Sequence, residues 1–353
     1  MRPSEGGSSE MRSVRVIGCI CLLLALVIAQ MPAALGQVRR VVSIAMPTTP
    51  PNVVHLPPWI AQETGIFAKY GIQARIFTFE GGAAALRALL GGRGEVHLAA
   101  PGVPPFTAAL ARGADVKAVF SYAMSHPVVM VVRPEIRRCE DLRGKRFGTP
   151  GGVGAYTEVM TRAVLQSCGL TPGDVQYINI ATAARVPALI GGQIDAMVMH
   201  LDQAYEALEQ KRDLRILARL WEVLPRGWYA AYVTLGDVIR SEPQTLRDAV
   251  CALLEAQRFM YQDRARTIEI GMKYTKFSRE IVTRAYDELA RRGIWPVNEG
   301  LHRDLVEGGL DTEVRIGNIP AGEKPSYPQA VELSFVRACI TKLGKWTGDP
   351  RWY

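Results

Sequence analysis

Residues 145–165 read KRFGTPGGVGAYTEVMTRAVL, and their order decides how the rest of the chain is understood. A short apolar strand stops at Gly148, a loop with glycines at 148, 151, 152 and 154 follows, and a helix begins. Tyr156, Val159, Met160, Ala163 and Val164 recur at intervals of three and four, so they share one helical face. The loop therefore feeds a helix N-terminus, where free N–H groups and a partial positive charge suit an anionic or strongly polar small molecule. The same glycines also read simply as a tight strand-to-helix turn. Their spacing gives neither Gly-x-Gly-x-x-Gly nor a closing Gly-Lys-Ser/Thr, so dinucleotide binding and phosphate-cradling NTP hydrolysis find no support.

Strands and helices alternate on both sides of this stretch. Before it, strand 41–44 runs into a proline-rich loop, then come helix 58–70, strand 73–79, helix 83–90, strand 96–99 and a helix ending near Arg112. Around and after it, strand 146–148, the helix to Cys168, strand 175–180, helix 184–190, strand 196–199 and a helix to about Gln210 repeat the plan. The repeat is audible in the letters: LLGGRGEVHL at 89–98 returns as LIGGQIDAMV at 189–198, a helix ending at Gly-Gly, an acidic residue and a short strand. Alternation of this kind predicts an α/β chain of two lobes with parallel strand pairing. The apolar stretches 127–132 and 228–233 flank the second copy and predict two crossover strands that act as a hinge. From Glu242 onward the pattern is helical, over 243–262, 264–274, 279–291, 302–310 and 329–343, and these helices are expected to brace the first lobe.

Residues 1–36 read as an export signal, with Arg12 and Arg15 before the apolar run 16–29 and small residues Ala33, Ala34 and Gly36 near the expected cleavage point. Cys19 precedes most of that run, which argues against a lipoprotein anchor. The expected organisation is signal peptide 1–36, the first part of lobe one at 37–125, lobe two at 126–230, and a return to lobe one with the C-terminal helices at 231–353. The net charge of +8 is scattered in pairs such as Arg137-Arg138 and Arg291-Arg292. With no basic run, it reads as a solvated surface and not as a nucleic-acid footprint. Beyond the signal stand Cys139, Cys168, Cys251 and Cys339, none in a Cys-x-x-Cys pair, which removes the zinc and thioredoxin-like readings. An oxidising compartment permits Cys139–Cys168 and Cys251–Cys339 disulfides; buried free thiols are the equal alternative.

The export signal, WIAQETGIFAKYGI at 59–72, the Gly-Gly-x-x-(Asp/Glu) echo, ARGADV at 111–116 and DLRGKRFG at 141–148 together resemble the nitrate, taurine and aliphatic-sulfonate branch of periplasmic solute-binding proteins. The same superfamily holds thiamine-pyrimidine synthases and pyrimidine-precursor binding proteins. The resemblance spans nearly all of the chain from the end of the signal to about residue 275. It implies a type II, Venus-flytrap fold in the periplasm and a monomer that delivers a small solute to an ABC permease and its ATPase in the inner membrane, without a cofactor. Two other functions fit the resemblance: a thiamine-pyrimidine synthase-like enzyme, whose cysteine-rich, iron-linked motif this chain lacks, and a sensor module for a membrane receptor. No Gly-x-Ser-x-Gly or His-Glu-x-x-His motif is present, which favours a non-catalytic carrier.

Carried over by position, the resemblance puts the ligand against the strand-end loops. These contribute Thr48, Thr49 and His55, then Gly81 and Gly82, then Pro101, Gly102 and Val103 from lobe one. Lobe two supplies Thr149, Gly151, Gly152, Val153, Gly154, His200 and Asp202, and Tyr122 and Tyr229 close the walls near the crossovers. Open α/β sheets bind ligands beyond the carboxyl ends of their strands, in agreement. Structural readings stand beside several of these: a turn for Thr48 and Thr49, hydrogen-bonded burial for His55 and His200, a helix cap for Asp202, and packing for Tyr229. The backbone N–H groups of 151–154 are the leading candidates for ligand donors. With no Arg or Lys among these positions, nitrate, a sulfonate, a carboxylate and a neutral heterocycle all remain candidate ligands.

Overall fold

The computed structural model describes residues 40–348 apart from Arg93 and Arg226, so the signal-peptide reading of 1–36 lies outside the described residues. The first lobe is built from β1 (Arg40–Met46), helices α1 (Pro57–Glu63) and α2 (Ile66–Lys69), β2 (Ile72–Thr78), α3 (Gly82–Gly91), β3 (Leu98–Ala99), α4 (Val103–Ala111) and β4 (Val116–Ala123). The second comprises β5 (Val128–Val132), β6 (Arg146–Gly148), α5 (Tyr156–Ser167), β7 (Gln176–Ile178), α6 (Arg185–Ile190), β8 (Ala196–His200), α7 (Leu201–Gln210), β9 (Arg215–Arg219) and α8 (Leu220–Val223). The chain then returns through β10 (Ala230–Leu235) and continues as α9 (Gly236–Ser241), α10 (Pro243–Gln262), α11 (Arg264–Thr275), α12 (Arg279–Arg291), α13 (Arg303–Arg315), α14 (Tyr327–Ala330) and α15 (Ser334–Leu343).

The two sheets have one plan. Their orders are β2-β1-β3-β10-β4 and β7-β6-β8-β5-β9, so three consecutive strands of each copy are followed by a strand that has just crossed from the other lobe, with a fifth strand outside it. The first three strands pair in parallel, as alternation with helices predicts. The crossing strands do not: β10 is antiparallel to β3 and β4, and β5 is antiparallel to β8 and β9, so both sheets are mixed. The hinge lies where these two strands begin. An apolar run must pair its backbone groups somewhere dry, and each of these runs does so inside one sheet. The connections between lobes are the short segments just before β5 and β10.

Two other departures have local causes. The expected helix over 58–70 is broken at Gly65, which adopts φ +74°, a conformation glycine takes at little cost, and α2 restarts after it. The C-terminal helices brace both lobes, not the first alone: α12 packs on α7 of lobe two, and Arg162 and Gln166 of α5 donate to the Gly317 and Arg315 carbonyls beyond and at the end of α13. A disulfide joins Cys139 to Cys168, tying the turn before β6 to the end of α5, and another joins Cys251 of α10 to Cys339 of α15.

Candidate functional site

A cavity lies between the lobes where strands of both sheets end. Lobe one contributes Thr48 after β1, Gly81 and Gly82 at the start of α3, and Gly102 ahead of α4. Lobe two contributes Gly151, Tyr156 and Thr157 at the start of α5, Arg185 at the start of α6, and His200 at the end of β8. Tyr229, on the connection into β10, completes the wall. The centre of a water-sized sphere has about 60 Å³ to move in. At ~10–15 Å³ per water on this measure, that is room for about four to six non-hydrogen atoms' worth of solute.

Two glycines allow the loops to come this close. A Cβ on Gly82 would meet the Gly102 backbone nitrogen at 3.0 Å and the Pro101 Cα at 3.1 Å, and one on Gly102 would meet Cδ2 of Tyr156 at 2.9 Å. The missing side chain at 102 thus admits the Tyr156 ring of the opposite lobe. That ring is fixed in turn by a 2.9 Å hydrogen bond between its hydroxyl and His126 Nδ1.

A line of hydrogen bonds passes through the cavity wall from one lobe to the other. The Asn52 N–H donates to Nδ1 of His55 at 3.3 Å, which assigns the His55 proton to Nε2, and Nε2–H donates to the Tyr229 hydroxyl oxygen at 3.0 Å. Tyr229 in turn donates to Nε2 of His200 at 3.0 Å. His55 belongs to lobe one and His200 to lobe two, so one phenol is held by both. Burial drives the His55 and His126 imidazoles down to about 3, with the Arg185 charge adding to the effect on His55. Burial, His55 and Arg185 likewise hold His200 well below its usual range. All three are neutral near pH 7, so histidine supplies dipoles to this site and no positive charge.

Of the charged side chains in the lining, Glu80, Arg87 and Arg185, only Arg185 is buried, and it is absent from the strand-end positions that the resemblance implies. The residue is 4% exposed, its Nη1 donates to Gln203 Oε1 at 2.9 Å, and its Nε has no hydrogen-bond partner. Burial lowers it to about 10, partly offset by Tyr229, Glu80 and Asp202, so it stays protonated at neutral pH. Beside it in the lining, the hydroxyl of Thr157 is also buried and unpartnered. Thr157 sits in the first turn of α5, whose N–H groups have no intrahelical acceptor. A buried cation, a free hydroxyl and a helix N-terminus around one cavity are groups that an oxyanion can satisfy. The sequence does carry a signal for Arg185: it follows the second strand of lobe two, the counterpart of Gly81 and Gly82 in lobe one, and that strand end is missing from the expected set.

The glycine loop departs from expectation. The N–H of Gly152 donates to the Thr149 carbonyl at 3.1 Å, that of Gly154 donates to a Glu158 carboxylate oxygen at 2.9 Å, and Val153 is 80% exposed. Glycines 151, 152 and 154 all have positive φ, and the resulting tight turn takes up the Gly152 and Gly154 donors. Of this loop only Pro150, Gly151 and Ala155 reach the cavity. Thr49 lines a separate surface depression with Pro50, Thr182 and Lys276. Val103 is packed in the first lobe's core, Pro101 is buried beneath Gly82, and Thr149 gives its N–H to Ile178. His55 lies behind Tyr229 and not in the lining. Tyr122 is buried, its hydroxyl donating to the Ala100 carbonyl. Asp202 is 1% exposed and also outside the lining, with its carboxylate held by protein donors. Burial raises it to about 6 despite those bonds.

The family described as NMT1/THI5 like matches residues 52–266. The taurine-binding periplasmic protein of Escherichia coli (strain K12) is 28% identical over 210 residues, 57% of this chain and 62% of that relative. The periplasmic nitrate-binding protein NrtA from Synechocystis PCC 6803 superposes with a TM-score of 0.71 at 13% identity, covering 87% of this chain and 89% of that one. The alkanesulfonate-binding protein SsuA from Xanthomonas axonopodis pv. citri, bound to MOPS, gives a TM-score of 0.68 at 19% identity, covering 82% and 97%. At such identities the solved structures speak for a shared two-lobed fold.

Proposed function

This chain belongs to the NMT1/THI5-like family, and from that premise we propose that it is an exported, non-catalytic solute-binding protein. It captures a small oxyanion between its lobes in the periplasm and hands it to an ABC importer. The observation that carries the reading is Arg185, a buried guanidinium with an unpartnered Nε in the wall of the interlobe cavity. A buried cation with a free N–H and no direct ion pair is costly, and an anionic guest relieves it. A neutral heterocycle would offer that N–H no anionic acceptor. Room for about four to six non-hydrogen atoms favours compact solutes such as nitrate, a short sulfonate or a short carboxylate. Neutral His200 and Tyr229 line the far side, where they add shape and dipoles and no charge. Periplasmic relatives and the signal-like residues 1–36 support export.

The test is calorimetric titration and thermal shift of the purified protein with nitrate, taurine, ethanesulfonate, acetate and a neutral pyrimidine. A specific solute at 100 times its dissociation constant adds about 2.7 kcal/mol of stability. Binding confined to one or more of the anions supports the reading. Preference for the pyrimidine, or turnover of any of these compounds, defeats it.

A further inference from the structure

We propose that Asp202 is a clasp that holds the lobes closed, so that closure is stabilised by the protein's own groups and not by solute alone. Asp202 lies in the first turn of α7, in lobe two. Its Oδ1 accepts from the Asn52 side-chain amide at 2.8 Å and from the Gln203 N–H at 2.9 Å, and its Oδ2 accepts from the Val53 N–H at 2.7 Å. Asn52 and Val53 belong to the lobe-one loop between β1 and α1. One carboxylate of lobe two therefore takes a side-chain donor and a main-chain donor from lobe one, at 1% exposure. Bonds to an ionised acceptor away from water are among the stronger hydrogen bonds a protein makes. The charged groups around it are Arg185, which favours the carboxylate, and Glu206, which opposes it.

A second carboxylate reaches the other way. Glu80 of lobe one accepts from the Thr182 N–H of lobe two at 3.1 Å, but it is exposed and counts for less. The Asp202 bonds lie outside the cavity lining, whereas Glu80 is part of it. The closed arrangement is thus populated before solute arrives, and the share of binding energy otherwise spent on closing is reduced. This inference rests on the two-lobed capture reading, yet its test needs no solute.

Nitroxide labels at the exposed positions Ala68→Cys in lobe one and Gln176→Cys in lobe two report the interlobe distance by pulsed EPR in solute-free protein. The wild-type background is expected to show a short-distance component. Asp202→Asn presents an amide N–H₂ to a site built of donors, so the closed-to-open ratio should fall by about tenfold or more, with the melting temperature little changed. Asn52→Ala, which removes only the lobe-one side chain, should shift the distribution in the same direction. The double variant should resemble Asp202→Asn, because both act through one contact. Absence of the short component in wild type, or distributions that neither substitution moves, overturns the proposal. If Asp202→Asn does not fold, the distribution of Asn52→Ala alone decides between support and refutation. Failure of every solute in the calorimetric screen would strike the capture reading and leave this measurement interpretable.

Discussion

The phenol oxygen of Tyr229 lies 3.0 Å from Nε2 of His200, and the same oxygen lies 3.0 Å from Nε2 of His55 in the opposite lobe. Tyr229 follows directly from the second connection between lobes, so the hinge and the cavity wall share a residue. Replacing it with Phe leaves two buried imidazole nitrogens without their partner. Tyr229→Phe should cost about 2–6 kcal/mol in urea unfolding, at ~1–3 kcal/mol per orphaned group. A loss below ~0.5 kcal/mol would show that the bridge contributes nothing.

Arg185→Met should separate stability from affinity. Removing a buried guanidinium that forms no ion pair with a carboxylate among the described residues is expected to leave the protein as stable as before, or more stable by about 1–3 kcal/mol. Anion affinity, measured by calorimetry with whichever solute the screen identifies, should fall by about 100-fold or more. Retained affinity would place the anion elsewhere.

Glu313 gives the protein a pH-dependent stability. It is fully buried between α4 and the end of α13, where desolvation pushes its carboxyl up to about 8 against hydrogen bonds from Asn318 and Thr107. The folded state then holds a proton that the unfolded chain releases above its ordinary value of 4.5. Stability from this group is full below about 4.5, declines as pH rises through the window to about 8, and is flat beyond it. The total is on the order of 4–5 kcal/mol. Glu313→Gln should match wild type within ~1 kcal/mol at pH 5 and exceed it by several kcal/mol at pH 8.5 in denaturant titrations. Parallel pH profiles for the two proteins would refute this.

Gly102→Ala tests the close approach of the lobes. Its φ of −67° is open to any residue, so the effect is steric alone. The added methyl would stand 2.9 Å from the Tyr156 ring, and overpacking of this kind costs about 1–3 kcal/mol. Because the contact exists only between lobes, the penalty should appear as weakened solute binding and a longer interlobe distance, with unfolding within each lobe little affected.

The two disulfides close loops of 29 and 88 residues. Chain entropy assigns them about 3.5 and 4.5 kcal/mol. Substituting Ser at Cys251 and Cys339 should therefore lower unfolding free energy more than Ser at Cys139 and Cys168. The reverse order would point to native-state interactions in place of loop closure.

Periodicity and punctuation carry the fold a long way. The echo at 89–98 and 189–198 recurs because each lobe needs the same helix-to-strand transition, and the family likeness follows from the same segments. The antiparallel placement of β5 and β10 is not legible, since an apolar run has the same letters whichever neighbour it pairs with. The edge strands β4 and β9 are hidden for a related reason: β4 is apolar without clear alternation, and β9 is short and flanked by arginines.

The site divides along the same line. The sequence by itself determined that strand-end loops rich in glycine would meet a helix entrance, because φ requirements and helix termini are local properties of the chain. Only the tertiary structure decided what those loops do. Gly152 and Gly154 give their N–H groups to Thr149 and Glu158 close by in the chain, while Arg185, at the strand end left out of the expected set, and Thr157 line one cavity. Asp202, an acceptor on a helix entrance in the sequence, became a link between lobes because Asn52 and Val53 arrive beside it from 150 residues away. Whether a polar group meets solute, solvent or another part of the protein depends on which distant segments fold against it, and that is settled by packing.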